Sequence, residues 1–445
     1  MAIDVLKSSE LKTFFYYALP SVLGMLAISS ASIVDGFFVG NYVGSDALAA
    51  INITMPVFSL MFGLGLMISV GSSVVSGKLI GEGDLKSASL IFTKSIIVMT
   101  IVGFSIALFI YLNINNILTF FELPEDLTHL VSTYLSWLLL FVPFLMIGLV
   151  LDYFVKVDNR PMLAFGAFLI SAASNMVLDW IFIANLELGI FGAALATGIS
   201  QLALIIVILP HFFSSRATIK FVKPIGSYLE ILRATFNGAS EFVNEISVGV
   251  TTLIFNIVMM KVYGVDGVAA YTVVNYLLWI AVMISFGISD SMQPILSKNY
   301  GAKNPKRIGR FVLYALVSVL VVGISIIIAI KTDPELFATL FLQEHETTSI
   351  NIVYNFLAIV WPVFLFSGAN MVFSAYLTAL HQPLPSAIIA LSRSLLFPVL
   401  YIFTLPYFYD DTGIYMAIPI AEFTTLLIAL YFFFKMTPNT LIQRL

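Results

Sequence analysis

The chain has 445 residues, of which 60% are hydrophobic and only 10% charged, with 39 Phe, no Cys and a formal net charge of −4. That balance excludes a soluble globular domain, and the missing cysteines exclude disulfide and thiolate chemistry. Apolar stretches of about 20 residues recur from end to end, which requires membrane-spanning helices, since a barrel would show short alternating segments instead.

Lys7 and Lys12 precede an apolar run too long for a cleavable signal core, so the first helix is expected to stay as the insertion signal. Apolar runs between polar or Gly/Pro breaks predict helices over 14–40, 51–77, 92–113, 131–153, 163–184, 191–213, 236–260, 268–297, 310–330, 351–377, 384–405 and 413–434. The fold class is therefore all-α integral membrane with twelve transmembrane helices. Assigning Lys and Arg to alternate loops puts 19 of the 21 on one side, Arg393 included, and leaves Lys261 and Lys331 opposite. The bias predicts that both termini are cytoplasmic.

An internal repeat runs at an offset of 220: Gly44 matches Gly264, Asp46 matches Asp266, Ala49-Ala50 match Ala269-Ala270, and Lys78, Gly81 and Lys86 match Lys298, Gly301 and Lys306. Further on, Phe141-Val142-Pro143-Phe144 resembles Val360-Trp361-Pro362-Val363. Six helices per unit is an even number, so both halves enter in the same orientation, as two pseudo-symmetric six-helix bundles about an axis along the membrane normal. The expected organisation is an N-terminal lobe over 1–213, a basic cytoplasmic linker over 214–235 and a C-terminal lobe over 236–445. Pro20, Pro56, Pro143, Pro294, Pro362 and Pro398 are the positions where helices can bend.

Polar residues deep in these spans carry the functional reading. A carboxylate at the centre of a lipid-facing helix costs about 2.5–3.5 kcal/mol, so it should face protein or a water-filled cavity. Asp35 in helix 1 and Asp179 in helix 5 lie at similar depth, Asn175 is one turn from Asp179 on the same face, and Thr197 and Tyr134 share that level. Two acids, an amide and two hydroxyls suit a proton relay or an all-oxygen site for a monovalent cation such as Na⁺, held by Asp35, Asp179, Asn175 and Thr197. The repeat places Phe255 opposite Asp35, so the C-terminal half lacks this set. A second network, nearer the basic side, comprises Glu241, Glu245, Asp290, Arg393 and Glu422. Glu241 and Glu245 are like charges at i,i+4, and Arg393 could neutralise one of them. Asp152 and Lys156 are read as an interfacial pair, and Glu122, Glu125, Asp126, Glu187, Asp410 and Asp411 as solvated faces. His129, His211, His345 and His381 have no metal-ligand spacing.

Val34-Asp35-Gly36-Phe37-Phe38-Val39-Gly40, the turn Gly81-Glu82-Gly83-Asp84, Asn175-Met176-Val177-Leu178-Asp179, and Asn237-Gly238-Ala239-Ser240-Glu241-Phe242 resemble bacterial members of the multidrug and toxic compound extrusion (MATE) family. The resemblance covers the whole chain. It implies a V-shaped pair of bundles in a bacterial inner membrane that exports cationic or amphipathic compounds in exchange for H⁺ or Na⁺, with Asp35, Asp179, Asn175, Thr197 and Tyr134 at the positions of a cation-coupling site. Other members use carboxylates in the C-terminal lobe; Glu241 matches one, whereas Ala369, Asn370 and Met371 stand where their helix 10 aspartate would be. No enzymatic activity, cofactor or nucleic-acid partner is expected; the partners implied are small molecules and membrane lipid, and the chain is read as a monomer. A flippase of lipid-linked oligosaccharide from the same superfamily is the alternative, weakened by the single embedded basic residue, Arg393.

Overall fold

The computed structural model describes residues 3–120, 123–339, 342 and 347–444, so Glu122 and His345 lie outside it. Among the described residues there are helices and no strand, and the chain divides into two compact units. The first comprises the N-terminal residues through Ser8 and Phe15–Gly238; the second takes Ser9–Phe14 and Ala239–Leu445.

The first unit is built from α1 (Glu10–Phe38), α2 (Ser45–Glu82), α3 (Leu85–Leu112), α4 (Ile114–Phe120), α5 (Glu125–Leu139), α6 (Val142–Val157), α7 (Pro161–Asp179), α8 (Gly189–Ile208) and α9 (Leu229–Asn237). Several helices outrun their apolar cores. α2 extends to Glu82, where Lys78 pairs with it at 3.6 Å across one turn, because backbone hydrogen bonding continues after the apolar run has ended. The predicted fourth span is broken between Leu139 and Val142, and α5 and α6 meet at 49°. Pro143 sits in the first turn of α6, where its missing N–H leaves no intrahelical bond unmade.

The basic stretch expected to link two lobes is sewn onto this unit. Asp158 accepts from the backbone N–H of Thr218 at 3.0 Å and of Ile219 at 3.3 Å, and His211 Nε2 lies 2.6 Å from its other oxygen. Lys220 and Val222 donate their N–H groups to the hydroxyls of Ser89 and Thr93 on α3. Lys94, whose side chain is fully buried, donates to the Ser227 carbonyl at 2.7 Å. α9 then lies on α2 so closely that a Cβ at Gly71 would collide with the Ala234 carbonyl, and one at Gly238 with that of Met67. Asp152 and Lys156 do pair, at 2.8 Å in the last turns of α6, and both side chains are only 3% exposed, so the pair is buried against neighbouring helices.

The second unit contains α10 (Ala239–Gly301), α11 (Pro305–Thr332), α12 (Pro334–Thr339), α13 (Thr347–Val360), α14 (Val363–Ala379), α15 (Pro383–Leu391), α16 (Phe397–Thr404), α17 (Pro406–Lys435) and α18 (Pro438–Ile442). A continuous α10 would be about 95 Å long, three times a hydrocarbon core. It breaks at Gly264, with φ +66° and ψ −149°, into arms over 239–263 and 265–301 that correspond to two predicted spans. α13 and α14 meet at 57° around Trp361–Pro362, as α5 and α6 do before Pro143. Among the described residues nine helices are long and apolar enough to cross a membrane; the two bent pairs raise this to eleven, and the second arm of α10 to twelve. The twelve-helix membrane fold read from hydropathy is the one observed. Of the six prolines named as bending points, Pro143 and Pro362 stand at these bends, whereas Pro20 and Pro56 lie within continuous helices.

Candidate functional site

Asp35 lies one turn before the end of α1, where the chain widens into a π-helical segment, Val39–Val43. Asp179 is the last residue of α7, and a second π-helical segment, Trp180–Asn185, follows it directly. The two segments pack against each other and against α8. Such wide turns recur at functional sites because they offset the side chains on either side from the normal helical register. α8 reaches the group by close packing: a Cβ at Gly198 would overlap the ring of Phe141, at the break between α5 and α6. This brings Thr197, the preceding residue, within hydrogen-bond reach of the Tyr134 hydroxyl on α5.

Asp35, Asp179, Tyr134 and Thr197 thus converge inside the first unit, with both carboxyls within electrostatic range of Tyr134. Asn175 is buried one turn from Asp179 on the same face of α7. Asp179 is 0% exposed and Asp35 is half-buried. The two carboxyls approach within hydrogen-bond reach of each other, yet no donor reaches Asp35 Oδ1 or either oxygen of Asp179. As a pair of carboxylates they have only acceptors to offer; protonating one creates the missing donor, and a cation between them would serve the same electrostatic end. Oxygen ligands of this kind fit a hard monovalent ion. Among the described residues no cluster of three or more His, Cys, Asp or Glu could hold a metal.

The second network is organised differently. Arg393 stands in a third π-helical segment, Ser392–Leu396. Its Nε donates to Glu422 Oε1 at 2.9 Å, so it neutralises Glu422 and neither Glu241 nor Glu245. Asn370 Nδ2 donates to the other Glu422 oxygen at 2.7 Å, completing that carboxylate. Asn244 accepts from Ser394 at 2.7 Å and lies 3.5 Å from Arg393 Nη1. Glu241 accepts from Gln293 at 3.3 Å, with Asp290 and Glu245 in its electrostatic surroundings. Glu241, Asp290 and Arg393 line one cavity of about 40 Å³, room for two or three waters. Asn244, Gln293 and Ser394 were not read from sequence; single neutral polar residues in apolar helices carry no pattern that separates a partner from a packing residue. The π-helical segments have no sequence signature either.

One family model, MatE, matches residues 20–181 and again 242–403, the same architecture twice. The chain belongs to the MatE family. Curated relatives of this MATE chain include the multidrug export protein MepA of Staphylococcus aureus (strain MSSA476), 26% identical over 422 residues that cover 94% of this chain and 92% of the relative. MepA of Staphylococcus haemolyticus is 25% identical, over 97% of this chain and 94% of its own. The fold matches that of a MATE protein crystallised with MaL6, with a TM-score of 0.93 at 20% identity, covering 99% of both chains. It matches equally a MOP superfamily transporter from Pyrococcus furiosus, TM-score 0.91 at 20% identity, over 99% of this chain and 97% of the other.

Proposed function

We propose that this MATE chain is a secondary active antiporter that exports small cationic or amphipathic compounds in exchange for H⁺ or Na⁺, and that Asp35 and Asp179, with Asn175, Thr197 and Tyr134, bind the coupling ion. The observation that carries the reading is the facing pair of carboxyls with three buried oxygens that no donor reaches. Burying two facing carboxyls without donors is costly, and a proton or cation bound between them removes that cost. The export direction and substrate class are supported by the relatives named multidrug export proteins.

Both carboxyls stand where α1 and α7 pass into π-helical turns. Ion binding there alters the repulsion between the two helix ends, and Pro20, inside the continuous α1, is where a missing backbone hydrogen bond lets that helix bend on ion binding. Exchange follows if the ion binds one arrangement of α1 more tightly than the other, since only differential affinity shifts the equilibrium. The basic bias supports an orientation with both termini cytoplasmic, and the proposed setting is a bacterial inner membrane. The flippase alternative needs free basic groups for phosphate; Arg393 is already committed to Glu422.

Gradient-driven substrate uptake into inverted vesicles is expected to be lost in Asp35→Asn, and full uptake in that variant would overturn the assignment. Imposing a pH gradient and a sodium gradient separately on proteoliposomes separates the two ions: the coupling ion is the one whose gradient alone drives flux.

A further inference from the structure

A larger cavity, open to the surface, lies in the second unit at the end away from its basic turns. It has a volume of about 610 Å³, within the range of drug-sized ligand sites, and is lined by Tyr263 from the first arm of α10, Asn351 and Asn355 from α13, and Asp411, Thr412 and Tyr415 from α17. Asn351 and Asn355 share one accessible face of α13, while Val353, Phe356, Leu357 and Val360 on the other side pack in the apolar core. Asn355 lies about 12 Å along the helix from its start, and an accessible amide at that depth belongs in a wet cavity and not in lipid.

The aromatic wall is built to hold the acid. Tyr415 is backed by Phe356 at 4.8 Å, stacks parallel to Tyr263 with ring centroids 6.1 Å apart, and donates its hydroxyl to that of Tyr263 at 2.7 Å. The Tyr263 hydroxyl is thereby left to donate onward, and Asp411 is within its reach. The residue that aims Asp411 is strained: Asp410 adopts φ +48° and ψ −141°, a region that belongs to glycine and costs other residues of order 1–3 kcal/mol. The turn ahead of α8 in the first unit likewise holds an acid, Glu187, at φ +51°, two residues before Gly189 at φ +60°. Asp411, read from sequence as a solvated face, is the one charged side chain lining the cavity among the described residues.

We propose that this cavity is a binding site for organic cations, with Asp411 as the counter-charge, the amides and Thr412 as a polar wall, and Tyr263 as the aromatic contact. Neutral ligands lose the carboxylate as a partner, and anions are repelled by it. The site is separate from the Asp35 and Asp179 group, and its test reads binding, not transport.

Because the chain has no cysteine, Asn355→Cys introduces a single thiol into the full-length protein. In nanodiscs, its labelling rates with a cationic trimethylammonium methanethiosulfonate and an anionic sulfonate analogue give a cation-to-anion ratio. That ratio is expected to fall about fivefold when Asp411→Asn is added, the effect of one unit charge several ångströms away in water. Tetraphenylphosphonium should protect the thiol, and sucrose should not. An unreactive thiol, a ratio insensitive to Asp411→Asn, or equal protection by sucrose would overturn the proposal. Asn351→Cys, one turn away, repeats the measurement if Asn355→Cys does not fold.

Discussion

Two buried charge groups, one in each half of the repeated architecture, are treated in opposite ways. In the first unit Asp35 and Asp179 face each other with no base among their partners in the described residues, and the Tyr134 hydroxyl, itself in reach of Thr197, lies within their electrostatic range. In the second, Glu422 is answered on both oxygens, by Arg393 at 2.9 Å and Asn370 at 2.7 Å. A satisfied ion pair holds its geometry and has nothing left to bind; an unsatisfied pair of acids is costly until a proton or cation arrives. The difference separates a group suited to titration from one suited to scaffolding, on the same fold.

The comparison breaks first at the carboxyl pair. Asp35→Asn or Asp179→Asn should each reduce gradient-driven uptake at least tenfold, while thermal unfolding in detergent stays unchanged or moves upward, because a like-charge contact has been removed. A fall in stability with activity retained would mean that the pair is a scaffold after all. The next largest effect belongs to the other unit. Arg393→Met strands Glu422 and should destabilise by about 3–5 kcal/mol, with Arg393→Met combined with Glu422→Gln recovering much of the loss in the same unfolding measurement.

Smaller changes sharpen the contrast. Tyr134→Phe deletes one hydroxyl beside the acids and should weaken apparent affinity for the coupling ion by about three- to tenfold, the worth of one hydrogen bond, as read from ion-concentration dependence of transport. Asp410→Gly relieves the strained turn and should stabilise by about 1 kcal/mol. A loss of stability there would show that Asp410 makes contacts worth more than its backbone strain.

Much of the fold was legible in the sequence because its causes are local or periodic. Span number follows from apolar length against bilayer thickness, and the duplication from matched Gly, Asp and Lys positions. The i,i+4 relation of Asp152 and Lys156 predicted their pairing, since one helical turn brings them together, but not their burial at 3% exposure, which depends on neighbours distant in sequence. The candidate site was half legible: the depth of Asp35 and Asp179 is counted along each helix, whereas their mutual approach depends on how α1 and α7 pack.

Sequence alone therefore determined that the chain crosses a membrane twelve times in two similar halves, and which acids lie too deep to be incidental, because hydropathy and helical rise are properties of a segment by itself. Tertiary structure decided the partners. It gave Arg393 to Glu422 instead of Glu241 or Glu245, opened π-helical turns beside Asp35, Asp179 and Arg393, sewed residues 214–228 onto α3 and α6, and turned Asp411 into a cavity wall. Each of these is set by packing between segments far apart in the chain, where a difference of one helical turn changes which side chains meet.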